Sequence, residues 1–239
     1  MRLRTYPDVA VAAARAADLV VAHARAALAA RGRFLLGLSG GKGPGPFFAE
    51  LAGRDVDWSG VWVVQVDERI APDGDRARND LLIRERFGAV VDQLGGFMPV
   101  PVGPDRPEDT AAAYCDALVG LAGNPPVLDL VQLGLGPDGH TASLVPGDPV
   151  VDQLSEPVAV TGLYEGHRRV TLTRPVLNAA RHRLWFVTGA SKRQPLARLL
   201  HHDAGIPAGL VRADHTTVVA DRAAVGLSSG AVDVPTPAG

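Results

Sequence analysis

Apolar residues fall into short continuous runs, each ending in glycine or charge, and Ala- and Arg-rich stretches separate the runs. From about Asp8 to Ala30 the chain carries Ala, Val, Leu and Arg without Gly or Pro, which predicts a long helix ended by Gly32. Phe34 to Leu38 predicts a strand that stops at the loop Ser39-Gly40-Gly41-Lys42-Gly43-Pro44-Gly45-Pro46. A helix around Phe47 to Leu51 precedes a second strand, Val61 to Val66, which empties into Asp67-Glu68-Arg69. Helical patterns follow at about Asn79 to Phe87 and Pro107 to Leu121, and Val127 to Leu133 predicts a strand that runs into a loop starting at Gly134. Val158 to Thr161 and Arg169 to Leu172 are further strand candidates, with Thr173 placed to cap a short helix to Ala180. The strand Leu184 to Thr188 ends at Gly189-Ala190-Ser191-Lys192, and a helix runs from there toward His201.

Continuously apolar strands suit a parallel sheet covered on both faces. Their alternation with helices predicts an α/β fold, a three-layer sandwich around a mostly parallel, Rossmann-like central sheet. With no internal repeat and no linker, residues 1–232 read as one domain, and the Pro- and Gly-bearing residues 233–239 as a disordered tail. The loops at Ser39, Asp67, Gly134 and Gly189 all follow strand C-terminal ends, the edge at which open α/β sheets bind ligands.

Composition narrows the class. The 239 residues are 46% hydrophobic and 21% charged, enough to bury a core without staples. The single Cys115 allows no internal disulfide and favours a reducing compartment. A net charge of −2 without a polybasic tail argues against nucleic acid or a membrane surface as partner, so an anion has to be bound by a local set of groups. No apolar stretch is long enough to cross a bilayer and no secretory segment follows Arg2 and Arg4, so a cytoplasmic protein is expected, as a monomer or a weak dimer. Every basic residue is arginine except Lys42 and Lys192.

Gly134-Leu135-Gly136-Pro137-Asp138-Gly139 spells G-x-G-x-x-G, but Pro146-Gly147 interrupts the chain where a dinucleotide fold needs a long helix. The Gly40-Gly41-Lys42 loop is not a Walker A motif, because Leu36 stands at its first glycine and Gly43 at its metal-binding hydroxyl. A glycine turn beside a lysine still suits a single phosphate, and the Arg69 fork matches two phosphate oxygens. His140, in a loop, is the candidate acid–base group, with Asp138 placed to fix the loop or the imidazole tautomer. Asp67 is a candidate to orient a partner or bind substrate hydroxyls. A metal site of Asp67, Asp138 and His140 lacks the His or Cys count typical of zinc. Ser39 and Ser143 lie in the right loops but in no nucleophile elbow, so direct attack by water is favoured over a covalent intermediate.

The run Gly134 to Gly147, together with Asp67-Glu68-Arg69, Arg169-Val170-Thr171-Leu172-Thr173 and Lys192, resembles the 6-phosphogluconolactonase family over nearly the whole chain. The resemblance implies the fold shared with sugar-phosphate isomerases and glucosamine-6-phosphate deaminase, and a metal- and cofactor-independent esterase acting on a small sugar-phosphate lactone. It implies His140, Asp138 and Asp67 as catalytic residues, and Ser39, Gly40, Gly41, Lys42, Arg69 and Lys192 around the phosphate. Deaminases continue the histidine segment with Ala-Phe-Asn-Glu-Pro and carry Asp-Glu-Tyr after the second strand. Here Thr141-Ala142-Ser143-Leu144 and Arg69 stand at those places. A deaminase-like isomerase and a non-catalytic sugar-phosphate binder are the alternative readings. The departure from the lactonase pattern is Lys42, where that family usually carries serine.

Overall fold

Neighbouring residues of each central strand enter two separate cores. On β2 (Phe34–Leu38), Phe34, Leu36 and Leu38 pack into one core and Leu35 into the other; on β9 (Arg183–Val187), Leu184 and Phe186 join the first, Trp185 and Val187 the second. This period of two places a layer on each side of the sheet. The remaining strands are β1 (Arg2–Tyr6), β3 (Val61–Gln65), β4 (Asp67–Arg69), β5 (Gly96–Met98), β6 (Leu130–Leu133), β7 (Val158–Val160), β8 (Arg169–Leu172) and β10 (Thr216–Asp221). Helices α1 (Val9–Arg31), α2 (Gly45–Ala52) and α3 (Asn79–Phe87) line the first core. Helices α4 (Pro107–Ala122), α5 (Arg174–Ala179), α6 (Arg193–Leu200) and α7 (Arg222–Val225) line the second. The computed structural model describes residues 1–41, 43–101 and 106–227, so Lys42 and the expected tail at 233–239 lie outside the described residues.

Helix α1 begins where the Asp8 side chain accepts from Val11 N at 2.9 Å and ends at Gly32, whose φ of 70° lets its N–H reach Leu28 O. Its buried face is mostly alanine, from Ala12 to Ala27, and packs closely on α2.

The main sheet has seven strands in the order β1-β10-β9-β6-β2-β3-β5, all parallel. The mostly parallel three-layer sandwich read from the sequence is therefore the observed fold. Strands β1, β5 and β10 complete it beyond the predicted runs: β1 is an edge with exposed Arg2 and Arg4, and β5 is short and half-buried. From β2 the chain moves outward to β3 and β5, and from β6 it moves the other way to β9 and β10. The direction thus reverses between β2 and β6, and a crevice opens above such a switch point.

Two local expectations are corrected. Asp67-Glu68-Arg69 is not a loop but strand β4, paired antiparallel with β8 (Asp67↔Thr171, Glu68↔Val170, Arg69↔Arg169) in a second sheet of order β4-β8-β7. Its charge is tolerated because the two carboxylates are filled by hydrogen bonds, described below. Thr173 starts α5 but does not cap it, since its Oγ1 donates backwards to Glu156 O at 2.5 Å and Pro157 O at 3.1 Å.

Val66 splices the two sheets. Its N–H donates to Leu38 O of β2 at 2.9 Å, and its carbonyl accepts from Leu172 N of β8 at 2.8 Å.

Candidate active site

After β6 the chain folds back on itself, with Gly136 N donating to His140 O (2.8 Å) and Gly139 N to Gly136 O (3.1 Å). A Cβ at Gly136 would overlap the His140 ring, and one at Gly139, where φ is +88°, would sit 2.5 Å from Ile206 Cβ. These glycines make room for a histidine and its carboxylate, and Thr141 and Leu144 close a bridged turn where a dinucleotide fold would open a helix.

His140 Nδ1 lies 2.6 Å from Asp138 Oδ1, which also accepts from the His140 backbone N–H at 3.1 Å. The Tyr164 hydroxyl donates to Asp138 Oδ2 at 3.1 Å. Burial disfavours the Asp138 charge, but the His140 amide and imidazole and the Tyr164 hydroxyl outweigh it and hold the carboxyl below its ordinary range. A carboxylate at Nδ1 keeps the proton on that nitrogen and leaves the Nε2 lone pair available.

Asp67 is buried, its Oδ1 accepting from Ser39 Oγ (3.1 Å) and its Oδ2 from Ser143 Oγ (2.8 Å). Ser39 N in turn donates to Gln132 Oε1 of β6 at 3.2 Å. One carboxylate thus ties the glycine loop after β2 to the histidine segment after β6. Ser143 is fully buried and committed to Asp67, which removes it as a nucleophile.

Glu68, also fully buried, accepts on Oε1 from Arg69 N (2.8 Å) and Asn79 N (2.6 Å), and on Oε2 from Gln65 Nε2 (3.0 Å) and Asp80 N (2.8 Å). It caps the first turn of α3 from β4. Asn79 is held against the loop, donating to Asp67 O at 2.9 Å, and a Cβ on Gly40 would overlap its side chain.

The cleft between these parts has a volume of about 190 Å³ and is walled by Ser39, Asp67, Arg69, His140, Arg169 and Lys192, with Gly40, Gly41, Gly134 and Gly136 at its loops. Arg69 is held by Nη1 donating to Ala77 O at 2.7 Å, and its buried Nε has no partner. Arg169, only 3% exposed, bonds Glu165 through Nη2 at 3.1 Å and lies 4.8 Å over the Tyr164 ring, and its Nε is likewise unpartnered. Lys192 ends the turn Ala190–Lys192 after β9; burial lowers its pKa and the Asp138 charge opposes that. Three cations with buried or desolvated donors therefore line one cleft, a donor set whose chemistry suits an anion. Among the described residues no group of three or more His, Cys, Asp or Glu side chains could hold a metal ion.

A larger groove, about 760 Å³, lies at the opposite end of the sheet, where His23 of α1 stacks on His182 with ring centroids 4.3 Å apart. Arg2, Arg4, Arg15, Asp18, Asp214 and His215 also line it.

Of the residues singled out in the sequence, Ser39, Gly40, Gly41, Asp67, Arg69, His140 and Lys192 meet in the cleft, and Asp138 stands behind His140. Lys42 lies outside the described residues. Sequence reasoning gave no role to Arg169 or Tyr164. Arg169 carried a usable signal, a charge heading the buried run Val170-Thr171-Leu172, whereas Tyr164 sits in an irregular turn that carried none.

Residues 7–220 match the protein family described as glucosamine-6-phosphate isomerases/6-phosphogluconolactonase. The 6-phosphogluconolactonase of Nostoc sp. is 33% identical over 198 residues, covering 81% of this chain and 82% of the relative. That of Rattus norvegicus is 35% identical over 219 residues, covering 82% and 80%. The solved structure of 6-phosphogluconolactonase from Trypanosoma brucei superposes with a TM-score of 0.83 at 23% identity, over 94% of this chain and 97% of that one, a likeness of fold. The match along most of the chain, with the same fold beneath it, places this protein in the glucosamine-6-phosphate isomerase/6-phosphogluconolactonase family.

Proposed function

We propose that the cleft hydrolyses 6-phospho-D-glucono-1,5-lactone to 6-phosphogluconate, the lactonase step of the oxidative pentose phosphate pathway. The observation that carries this reading is the convergence of Arg69, Arg169 and Lys192 on a cleft that also presents the imidazole of an Asp138–His140 pair. The cations and the backbone N–H groups of Gly40 and Gly41 hold the phosphate, so binding energy remote from the ester sets the lactone carbonyl beside His140. Asp67 acts through Ser39 and Ser143 by fixing the two loops against each other.

Water attacks the carbonyl carbon while Nε2 takes its proton, and the imidazolium that forms is stabilised by Asp138. The tetrahedral oxyanion collapses, the bond from the carbonyl carbon to the ring oxygen breaks, and Nε2–H returns the proton to that oxygen. The product is the open-chain acid. General acid–base catalysis of this kind contributes about 10²–10⁴-fold.

The glucosamine-6-phosphate branch of the family would use the same anion site. The lactonase reading is favoured by relatives bearing that name at 33% and 35% identity, and by Arg69 and the Thr141–Leu144 turn. The residues that line the cleft run from Ser39 to Lys192, which supports treating the described residues as one domain. Among the described residues no helix is long and apolar enough to cross a membrane. The test offers the purified protein 6-phosphogluconolactone and glucosamine 6-phosphate in parallel. Lactone hydrolysis well above the spontaneous rate is expected, and ammonia release from the amino sugar without it would overturn the reading.

A further inference from the structure

The turn between β7 and β8 brings a tyrosine to the acid–base pair. Tyr164 Oη donates to Asp138 Oδ2 at 3.1 Å and lies 3.4 Å from His140 Nδ1. Its ring meets the imidazole edge-on, with centroids 5.5 Å apart and planes at 69°. The turn is itself held: Tyr164 N donates to His167 O (3.0 Å) and His167 N to Tyr164 O (3.2 Å). The Arg169 guanidinium lies 4.8 Å from the ring centroid and is bonded to Glu165. Both oxygens of Asp138 are therefore directed, Oδ1 to the histidine and Oδ2 to the tyrosine.

We propose that Tyr164 is a positioning residue for the hydrolysis: its hydroxyl orients the Asp138 carboxylate and its ring limits the swing of His140, so that Nε2 keeps one direction toward the cleft. The inference rests on the role assigned to His140 above. An unanchored carboxylate can rotate about its Cβ–Cγ bond, and the imidazole that follows it loses its near-attack direction. The hydroxyl also draws charge from the carboxylate, which weakens the hold of Asp138 on a protonated imidazole. Burial and the Asp138 charge raise the Tyr164 pKa, so it remains a neutral donor where the enzyme works. The other charges around the pair are Arg169 and Glu165 beside Tyr164, and Lys192 at the start of α6.

Tyr164→Phe removes the hydroxyl and keeps the ring, the Arg169 stack and the backbone bonds of the turn. The expected result is a fall in kcat of about tenfold, the size of one hydrogen bond to a charged group, with KM unchanged. The acid limb of the kcat/KM profile moves to higher pH, because Asp138 then holds the imidazolium more tightly. In ¹⁵N spectra of the histidine side chains, which need no substrate, the His140 tautomer signals move toward an average of the two forms. In an Asp138→Asn background, Tyr164→Phe has no further effect. A parental kcat, acid limb and imidazole spectrum would overturn the proposal. So would a loss of kcat with the acid limb and spectrum unmoved, or one that multiplies with Asp138→Asn, since either assigns Tyr164 to packing. If the substrate assignment fails, the imidazole spectrum still decides whether Tyr164 sets the pair.

Discussion

Glu68→Gln isolates the group that seats β4 against α3. The parent carboxylate is fully buried and accepts four N–H donors, two on each oxygen, at 2.6–3.0 Å. Glutamine has nearly the same shape but only one acceptor oxygen, and whichever way its amide turns, its NH₂ faces two of those donors. Turned one way it confronts the Arg69 and Asn79 amides; turned the other, Asp80 N and the Gln65 side chain, with Arg78 Nε 3.6 Å from Oε2. Two buried donors without acceptors cost about 1–3 kcal/mol each, and the surviving bonds lose their charge assistance, giving a loss of about 3–5 kcal/mol. For a domain of this size each kcal/mol moves the melting temperature by about 2–4 °C, so a drop of about 10 °C is expected by circular dichroism. Urea unfolding should show a lower midpoint at unchanged slope. Because Arg69 follows Glu68 and pairs through the same strand, KM for the lactone should rise as well. A melting temperature within about 2 °C of the parent would refute the claim that this carboxylate anchors β4.

Asp138→Asn should lower kcat by about 10²-fold or more with little change in KM, measured by initial lactone hydrolysis, because the imidazolium loses its partner while the cations are untouched. Lys192→Ala should chiefly raise KM, and an unchanged KM in the same assay would remove it from the phosphate site. Gly136→Ala should lower kcat as the added methyl displaces His140, with folding followed by circular dichroism. At the far groove, burial, reinforced by His23, Arg183, His215 and Arg4, lowers the His182 pKa to about 4, so the unfolded chain binds the extra proton between about pH 6.5 and 4. Stability should be full above pH 6.5 and fall as pH drops toward 4, and His182→Asn should flatten that part of the melting profile.

The central sheet was legible because β2, β3, β6 and β9 are largely apolar, broken only by Gln65, Gln132 and Arg183, and a buried parallel strand needs that composition. Edge strand β1 alternates exposed arginines with other residues, and β5 has only half-buried residues, so neither produced a run. Asp67-Glu68-Arg69 read as a loop because charge normally marks one; its strand pairing depends on donors from α3, which follows later in the chain. His140 and Lys192 were legible because each lies in the segment that follows a strand end, after β6 and β9. Arg169 reaches the cleft from the smaller sheet and Tyr164 reaches Asp138 from the turn between β7 and β8, and only the pairing of β4 with β8 brings that sheet to the site.

The splice at Val66 gives the cleft a mechanical character. The glycine loops belong to the large sheet, whereas Arg69 and Arg169 ride on the small one, so the gap between these two arginines and the imidazole is a distance between two sheets. Main-chain bonds on both sides of a single residue fix that distance: Val66 N to Leu38 O and Leu172 N to Val66 O. Backbone ladders of this kind are insensitive to which side chains fill the surrounding core. The cleft width can therefore persist while core residues are exchanged for others of similar volume, and the amides of Val66 and Leu172 should be among the slowest in the chain to exchange with deuterium.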